Sequence, residues 1–177
     1  MRLVSLIILG LALNGPVAAK DFTVNSPDIR KGHAHASLVL AKSYGLGCDG
    51  QNRAPILHWS GAPAGTQSFL VTLYDKDAPT GVGFMHWVVA NIPSDVEALE
   101  DGSSLPQGAV ETRTDMGRAG YVGICPPAGS THEYIVTVHA LGVARLPVDT
   151  NTTPAIVGFM AHDHILGSAR LRFRYSR

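Results

Sequence analysis

Nineteen glycines and eleven prolines are spread along the 177 residues, and the apolar residues fall in short runs between them. Glycine opens turns that need positive φ, and proline fixes φ while removing a donor, so a chain punctuated this often is built from short strands joined by turns. The runs from Ser37 to Leu40, Ile56 to Trp59, Phe69 to Tyr74, His86 to Asn91, Tyr134 to Leu141 and Leu171 to Tyr175 are rich in Val, Ile, Leu and aromatic residues and read as strands. In the run from Tyr134 to Leu141, alternation puts Tyr134, Val136, Val138 and Ala140 on one face and Ile135, Thr137, His139 and Leu141 on the other. Both faces carry apolar groups, which predicts a central strand. One helix is expected from Thr153 to His164, with Thr153 as its cap, Pro154 in its first turn and Gly167 beyond its end. Its Ile156, Phe159 and Met160 are expected to pack on the sheets. Six or more strands without regular βαβ alternation predict a mainly β fold, two antiparallel sheets packed as a β-sandwich.

The chain is 45% hydrophobic and 16% charged, enough to bury a core of its own, which excludes a disordered tail. Its length fits one domain. Fourteen basic residues balance fourteen acidic ones. No Lys/Arg cluster is read from the sequence, which argues against a nucleic-acid binder, because such a protein must displace counterions from phosphates.

The first nineteen residues differ in kind. Met1-Arg2 gives a positive start, Leu3 to Leu13 is almost purely apolar, and Val17-Ala18-Ala19 supplies the small residues a signal peptidase reads. The apolar run is shorter than the roughly 20 residues of a membrane-spanning helix. Residues 1–19 are therefore expected to be a signal peptide, leaving residues 20–177 as the domain, located in the periplasm or secreted, with no transmembrane segment after cleavage. Cleavage removes one base, Arg2, and no acid.

Two cysteines, Cys48 and Cys125, each sit in a Gly/Pro-rich loop, and in an oxidising compartment they are candidates for one disulfide, with two separate thiols as the alternative. A free Cys125 with His132 and Asp75 or Asp77 would supply the residue types of thiol catalysis, but a disulfide sulfur is no nucleophile, so no catalytic residue is assigned and a non-enzymatic role is expected. Among eight histidines, the pairs His33/His35 and His162/His164 lack a third ligand near in sequence, so no metal site and no cofactor are expected.

The other polar groups gather at strand ends. Asp75-Lys76-Asp77-Ala78-Pro79 follows one strand, His86-Trp87 opens the next, Gly120 to Pro127 forms a loop, and His132-Glu133-Tyr134 opens another strand with His132 and Tyr134 on one face. Together with Gly47 to Asn52, Pro55, Leu57 to Gly61 and Asn91-Ile92-Pro93, these segments resemble the phosphatidylethanolamine-binding protein (PEBP) family, in particular its bacterial Raf kinase inhibitor-like branch. The resemblance covers nearly all of residues 20–177. It implies a PEBP-like β-sandwich with a small pocket for phosphate-like anions, including phospholipid head groups.

By the same resemblance, Asp75, Asp77, His86, His132 and Tyr134 line that pocket, with the backbone N–H groups of Gly123 and Ile124 facing it. The residue types suit the task. Imidazole, phenol and main-chain N–H groups can each satisfy an anion's oxygen, and the carboxylates can hold the rings and favour their charged form. The chain departs from the family pattern at Lys76 and Ile124, each in place of a usual Pro, and at Ala54, in place of a usual Ser. The alternative role implied by the resemblance is a protein-interaction or inhibitor module acting on an extracytoplasmic protease or a host protein.

Overall fold

The computed structural model describes residues 20–100 and 104–177. Residues 1–19, on which the signal-peptide reading falls, lie outside the described residues. Among the described residues, ten strands and one α-helix follow in the order β1 (Thr23–Asn25), β2 (Ile29–Arg30), β3 (His33–Ala34), β4 (Leu57–Ser60), β5 (Ser68–Asp75), β6 (Phe84–Pro93), β7 (Ala98–Leu99), β8 (Val110–Glu111), β9 (Thr131–Leu141), α1 (Pro154–Ala161) and β10 (Ile165–Ser176). They form a seven-stranded sheet, β2-β3-β10-β9-β5-β6-β8, and a three-stranded sheet, β1-β4-β7. All pairings between these strands are antiparallel except β3 with β10. The mainly β, two-sheet fold is as the sequence predicts.

β9 is the fourth of seven strands, and its two apolar faces account for that position. Tyr134, Val136, Val138 and Ala140 are completely buried against the small sheet. There they join Leu57 and Trp59 of β4, Phe69, Val71 and Leu73 of β5, and Trp87 and Val89 of β6. Trp59 meets Phe69 edge-on at 5.4 Å between ring centroids, which stitches the two sheets together. On the opposite face of the large sheet, Leu70, Val88, Ala90 and Leu141 form a second cluster with α1.

The helix is shorter than expected and presents a different face. α1 spans Pro154–Ala161, with Pro154 in its first turn and Thr153 at its N-cap position, and a 3-10 turn, His162–His164, leads directly into β10. Gly167 thus lies within β10. The buried positions are Val157 and Ala161, four apart, whereas Ile156 is 46% and Phe159 79% exposed. The expected packing of Ile156 and Phe159 is corrected: the i, i+4 stripe of smaller residues fits the shallow surface over Leu70 and Val88. Ser37 to Leu40 is not a strand either. His35 accepts from the Ser37 N–H and caps a 3-10 turn over Ala36–Leu38, after which the segment runs buried and extended.

Candidate functional site

Three strand ends meet at one edge of the large sheet. Asp75 ends β5, its register partner across the sheet is Tyr134 of β9, and on the other side it pairs with Phe84 of β6. Strand alternation alone would aim His86 away from the Trp87 side. The β5–β6 register, however, runs from Leu73↔Trp87 to Tyr74↔Met85, so His86 is an extra residue, a β-bulge. A bulge re-aims side chains. Here it lets His86, buried like Trp87, turn to the inner side, where its ring lies 5.6 Å from that of Tyr134.

The cavity at this edge has a volume of about 210 Å³, with Asp75, His86 and His132 on its polar floor. Asp75 organises them. Its Oδ2 lies 2.7 Å from His132 Nδ1 and 3.9 Å from His86 Nε2, and its Oδ1 accepts the Asp77 N–H at 2.9 Å. Asp75 is 3% exposed. Burial pushes its pKa up, but the nearby His86 ring and the hydrogen bonds from His132 and the Asp77 N–H outweigh burial and hold it below the usual carboxylate value. With Asp75 ionised, His132 Nδ1 carries a proton and donates it. His86 Nδ1 lies 2.7 Å from the Val122 carbonyl, which only accepts, so that nitrogen also carries a proton. Each ring's Nδ1 is therefore committed, and its Nε2 becomes a donor only when the ring is an imidazolium.

The walls are largely apolar. Leu40, Pro79, Phe84 and Val122 line the cavity, and Leu46 and Met116 stand at its mouth, 56% and 39% exposed. The far wall is the loop containing Val122 and Gly123, which passes so close to the 3-10 segment that a Cβ on Gly123 would overlap the backbone of Val39 and Leu40. Cys125, also in this wall, is bonded to Cys48, with Cα atoms 6.0 Å apart. This pairing decides between the two sequence alternatives and removes Cys125 as a thiol nucleophile.

The seven residues named from the sequence divide into two groups. Asp75, His86, His132 and Gly123 line the cavity, whereas Asp77, Ile124 and Tyr134 do not. Asp77 is exposed and works on the strand end, accepting the Glu133 N–H at 2.8 Å and pairing with Lys76 at 3.0 Å; these two contacts lower its pKa. Ile124 is completely buried in the core. The two backbone donors expected to face the pocket are already engaged, Gly123 N–H by Asn52 Oδ1 at 2.8 Å and Ile124 N–H by the Leu38 carbonyl at 3.1 Å.

Tyr134 sits one layer behind the floor, its ring stacked on Phe173 at 5.3 Å and packed against both imidazoles. Its buried hydroxyl makes no well-formed hydrogen bond, and burial together with the nearby Asp75 charge raises its pKa. Sequence reasoning missed three contributors. Asn52 bridges the loop through Gly123 N–H and the Tyr121 carbonyl, and Leu46 and Met116 form the rim. Asn52 was legible only as part of a motif, and the rim residues carried no signal.

Comparison with known proteins places this geometry in a family. The profile of the phosphatidylethanolamine-binding protein family matches residues 31–176. The YbhB protein of Escherichia coli is 50% identical over 137 residues, covering 75% of this chain and 87% of YbhB. The YbcL protein of the same organism is 42% identical over 176 residues, covering 96% and 94%. The crystal structure of YbcL, described as a new member of the mammalian PEBP family, superposes with a TM-score of 0.84 at 42% identity over 89% of this chain and 99% of that one. A PEBP homolog from Chlamydia trachomatis superposes with a TM-score of 0.72 at 26% identity, over 88% and 97%. A relative named as a lipoprotein, LppC of Mycobacterium tuberculosis, is 35% identical over 159 residues, covering 87% and 72%. By profile, by sequence and by fold, this chain belongs to the phosphatidylethanolamine-binding protein family.

Proposed function

We propose that this is an exported, non-catalytic binding protein whose pocket holds a small phosphate-like anion, free or as a phospholipid head group. One observation carries the reading: two imidazoles share a cavity floor with their Nδ1 protons fixed by Asp75 and the Val122 carbonyl. An anion arriving at the two Nε2 atoms is best satisfied when both rings are protonated, which turns each Nε2 into a charged donor. Asp75 places a carboxylate beside both rings, 2.7 Å from His132 Nδ1 and 3.9 Å from His86 Nε2. The apolar walls and the Leu46/Met116 rim suit a ligand whose anionic end is joined to something less polar. Export is supported by the N-terminal sequence pattern, by the disulfide and by the likeness to a lipoprotein.

The test is an NMR titration of the histidine ring signals of residues 20–177 with inorganic phosphate and phosphoethanolamine, beside His86→Ala and His132→Ala. Saturable shifts of both rings, lost in either variant, are expected. Rings that respond to neither compound would overturn the reading. A second arm uses sulfate, which keeps its charge between pH 5 and 8. Its affinity is expected to fall as the pH rises across that range, because binding takes up protons at the rings. A flat profile would remove the imidazolium mechanism.

A further inference from the structure

The sequence of β10 contains Arg170, Arg172 and Arg174 in alternation with Ala169, Leu171 and Phe173. No Lys/Arg cluster was read from the sequence, yet the strand's two-residue period gathers these three into one. Ala169 and Phe173 are buried in the core between the sheets, and the three arginines are exposed on the other side. Their guanidinium stems leave the strand about 6.6–6.8 Å apart, two strand rises.

The register fixes which side this is. Arg170 pairs with Thr137, which pairs with Thr72, and Thr72 shares its face with Leu70, two residues away. Leu70 lies under α1. The arginine row and α1 therefore project from the same side of the seven-stranded sheet. α1 adds Ile156 and Phe159, both turned to solvent, and the start of β10 adds Ile165 and Leu166, 38% and 46% exposed. One acid stands among the arginines: Glu133 lies 2.8 Å from Arg172 and 3.8 Å from Arg174, and is shared between them. A second, Asp163, stands beyond α1 with His162 3.9 Å away. Arg170 has no ion-pair partner among the described residues.

We propose that this side of the molecule docks on an anionic lipid surface, the arginine row meeting phosphate head groups and Phe159, Ile156 and Leu166 entering the boundary with the acyl chains. Charge complementarity selects the occupant. A row of guanidinium groups along one strand recognises phosphates, and exposed aromatic and aliphatic groups on the same side add what a purely electrostatic contact with a soluble acidic protein would not need. The docking surface is separate from the cavity, which opens at the sheet edge where Asp75, His86 and His132 meet, so it does not depend on the pocket being an anion site.

Sedimentation of residues 20–177 with lipid vesicles tests this, since those residues contain both sheets and α1. Binding to vesicles of phosphatidylcholine with about 30% phosphatidylglycerol, weakening as salt is raised, is expected, with little binding to pure phosphatidylcholine. The variant Arg170→Gln/Arg172→Gln/Arg174→Gln should bind the anionic vesicles about a hundredfold more weakly, the effect of removing three surface cations at about fivefold each. Phe159→Ser should weaken binding severalfold without changing the salt dependence. Arg170→Gln alone breaks no ion pair and keeps the test valid if the triple variant folds poorly, and it should bind about fivefold more weakly. In a His132→Ala background, where the pocket no longer contributes, the arginine variants should weaken binding by the same factors. Equal binding of parent and arginine variants, equal binding to charged and uncharged vesicles, or capture by a soluble acidic polymer without vesicle binding would each overturn the proposal. Loss of binding in His132→Ala, with the arginine variants unaffected, would assign vesicle binding to the pocket instead.

Discussion

Asp75 carries more of the site than any other residue, because it is a nearly buried carboxylate that both imidazoles require. Its folded pKa is lowered, so the stability it contributes is present above the ordinary carboxylate range and is lost as the pH falls through the folded value. Asp75→Asn is expected to cost about 2 kcal/mol at pH 7, the scale of hydrogen bonds to a charged group, and the gap to the parent should close below about pH 4. Urea titrations at a series of pH values measure this; a gap that stays constant down to acid pH would mean that the charge is not what stabilises. Tyr134 gives the opposite expectation. Its hydroxyl is buried without a good partner, so Tyr134→Phe should leave stability unchanged or raise it by up to about 1 kcal/mol. A loss of about 2 kcal/mol would show that the hydroxyl does bond to Asp75 in solution. These residues are legible by type and by strand end, and the structure brings Asp75, His86 and His132 to one cavity. The split between cavity lining and support was not legible, because it depends on which backbone groups are already paired. Gly123 and Ile124 N–H are taken by Asn52 and Leu38, residues distant in sequence.

At the scale of elements, β9 was readable because apolar residues on both faces can only be satisfied in a central strand, whereas α1 was misread because its exposed face is the more hydrophobic one. Size misled there: Phe159 and Ile156 outrank Val157 and Ala161 in hydrophobicity, but the shallow surface over the sheet accepts the small pair. The bulge at His86 was likewise invisible, since no residue in Met85-His86-Trp87 announces an extra position. β10 reads in the sequence as five residues, Leu171 to Tyr175, and is twelve, because Gly167 stands where a helix stop is expected and hides the start of the strand. The outer side of β9 carries a testable group, His139, whose Nδ1 lies 2.8 Å from Ser168 Oγ. Burial first, and then the charge of Arg170, lowers its pKa to about 4. Between that value and the ordinary imidazole pKa of about 6.5, the unfolded chain binds the proton and the folded one does not, so His139 makes stability fall as the pH drops through this window. His139→Gln should flatten the stability profile between pH 6.5 and about 4. An unchanged slope by denaturant titration would mean that the folded ring is protonated there.

For the whole molecule, the disulfide ties the two long loops that close the cavity from the side opposite the sheet. Cys48 and Cys125 are separated by 77 positions, and the guanidinium of Arg177 lies 3.4 Å from one sulfur and 3.2 Å from the other, so the C-terminus is laid over the same junction. Closing a loop of this length removes conformations chiefly from the unfolded chain and contributes about 4 kcal/mol in the chain-entropy account. The cavity floor has a different source of rigidity. Asp75, His86 and His132 stand on β5, β6 and β9, paired neighbours in the middle of the large sheet, and His86 is held further by the Val122 carbonyl. The two supports are separable. Cys48→Ser/Cys125→Ser is expected to melt about 10 °C lower, the scale set by the lost loop constraint for a domain of this size. Well below its melting point, it should keep the phosphate affinity proposed for the pocket to within about threefold, less than 1 kcal/mol. Calorimetry with phosphate titration on the same samples reads both quantities. An affinity loss above about tenfold with the fold intact would show that the ligand is gripped by the loop wall and not by the strand ends, and would shift the recognition chemistry from the imidazoles to the segment around Val122 and Cys125.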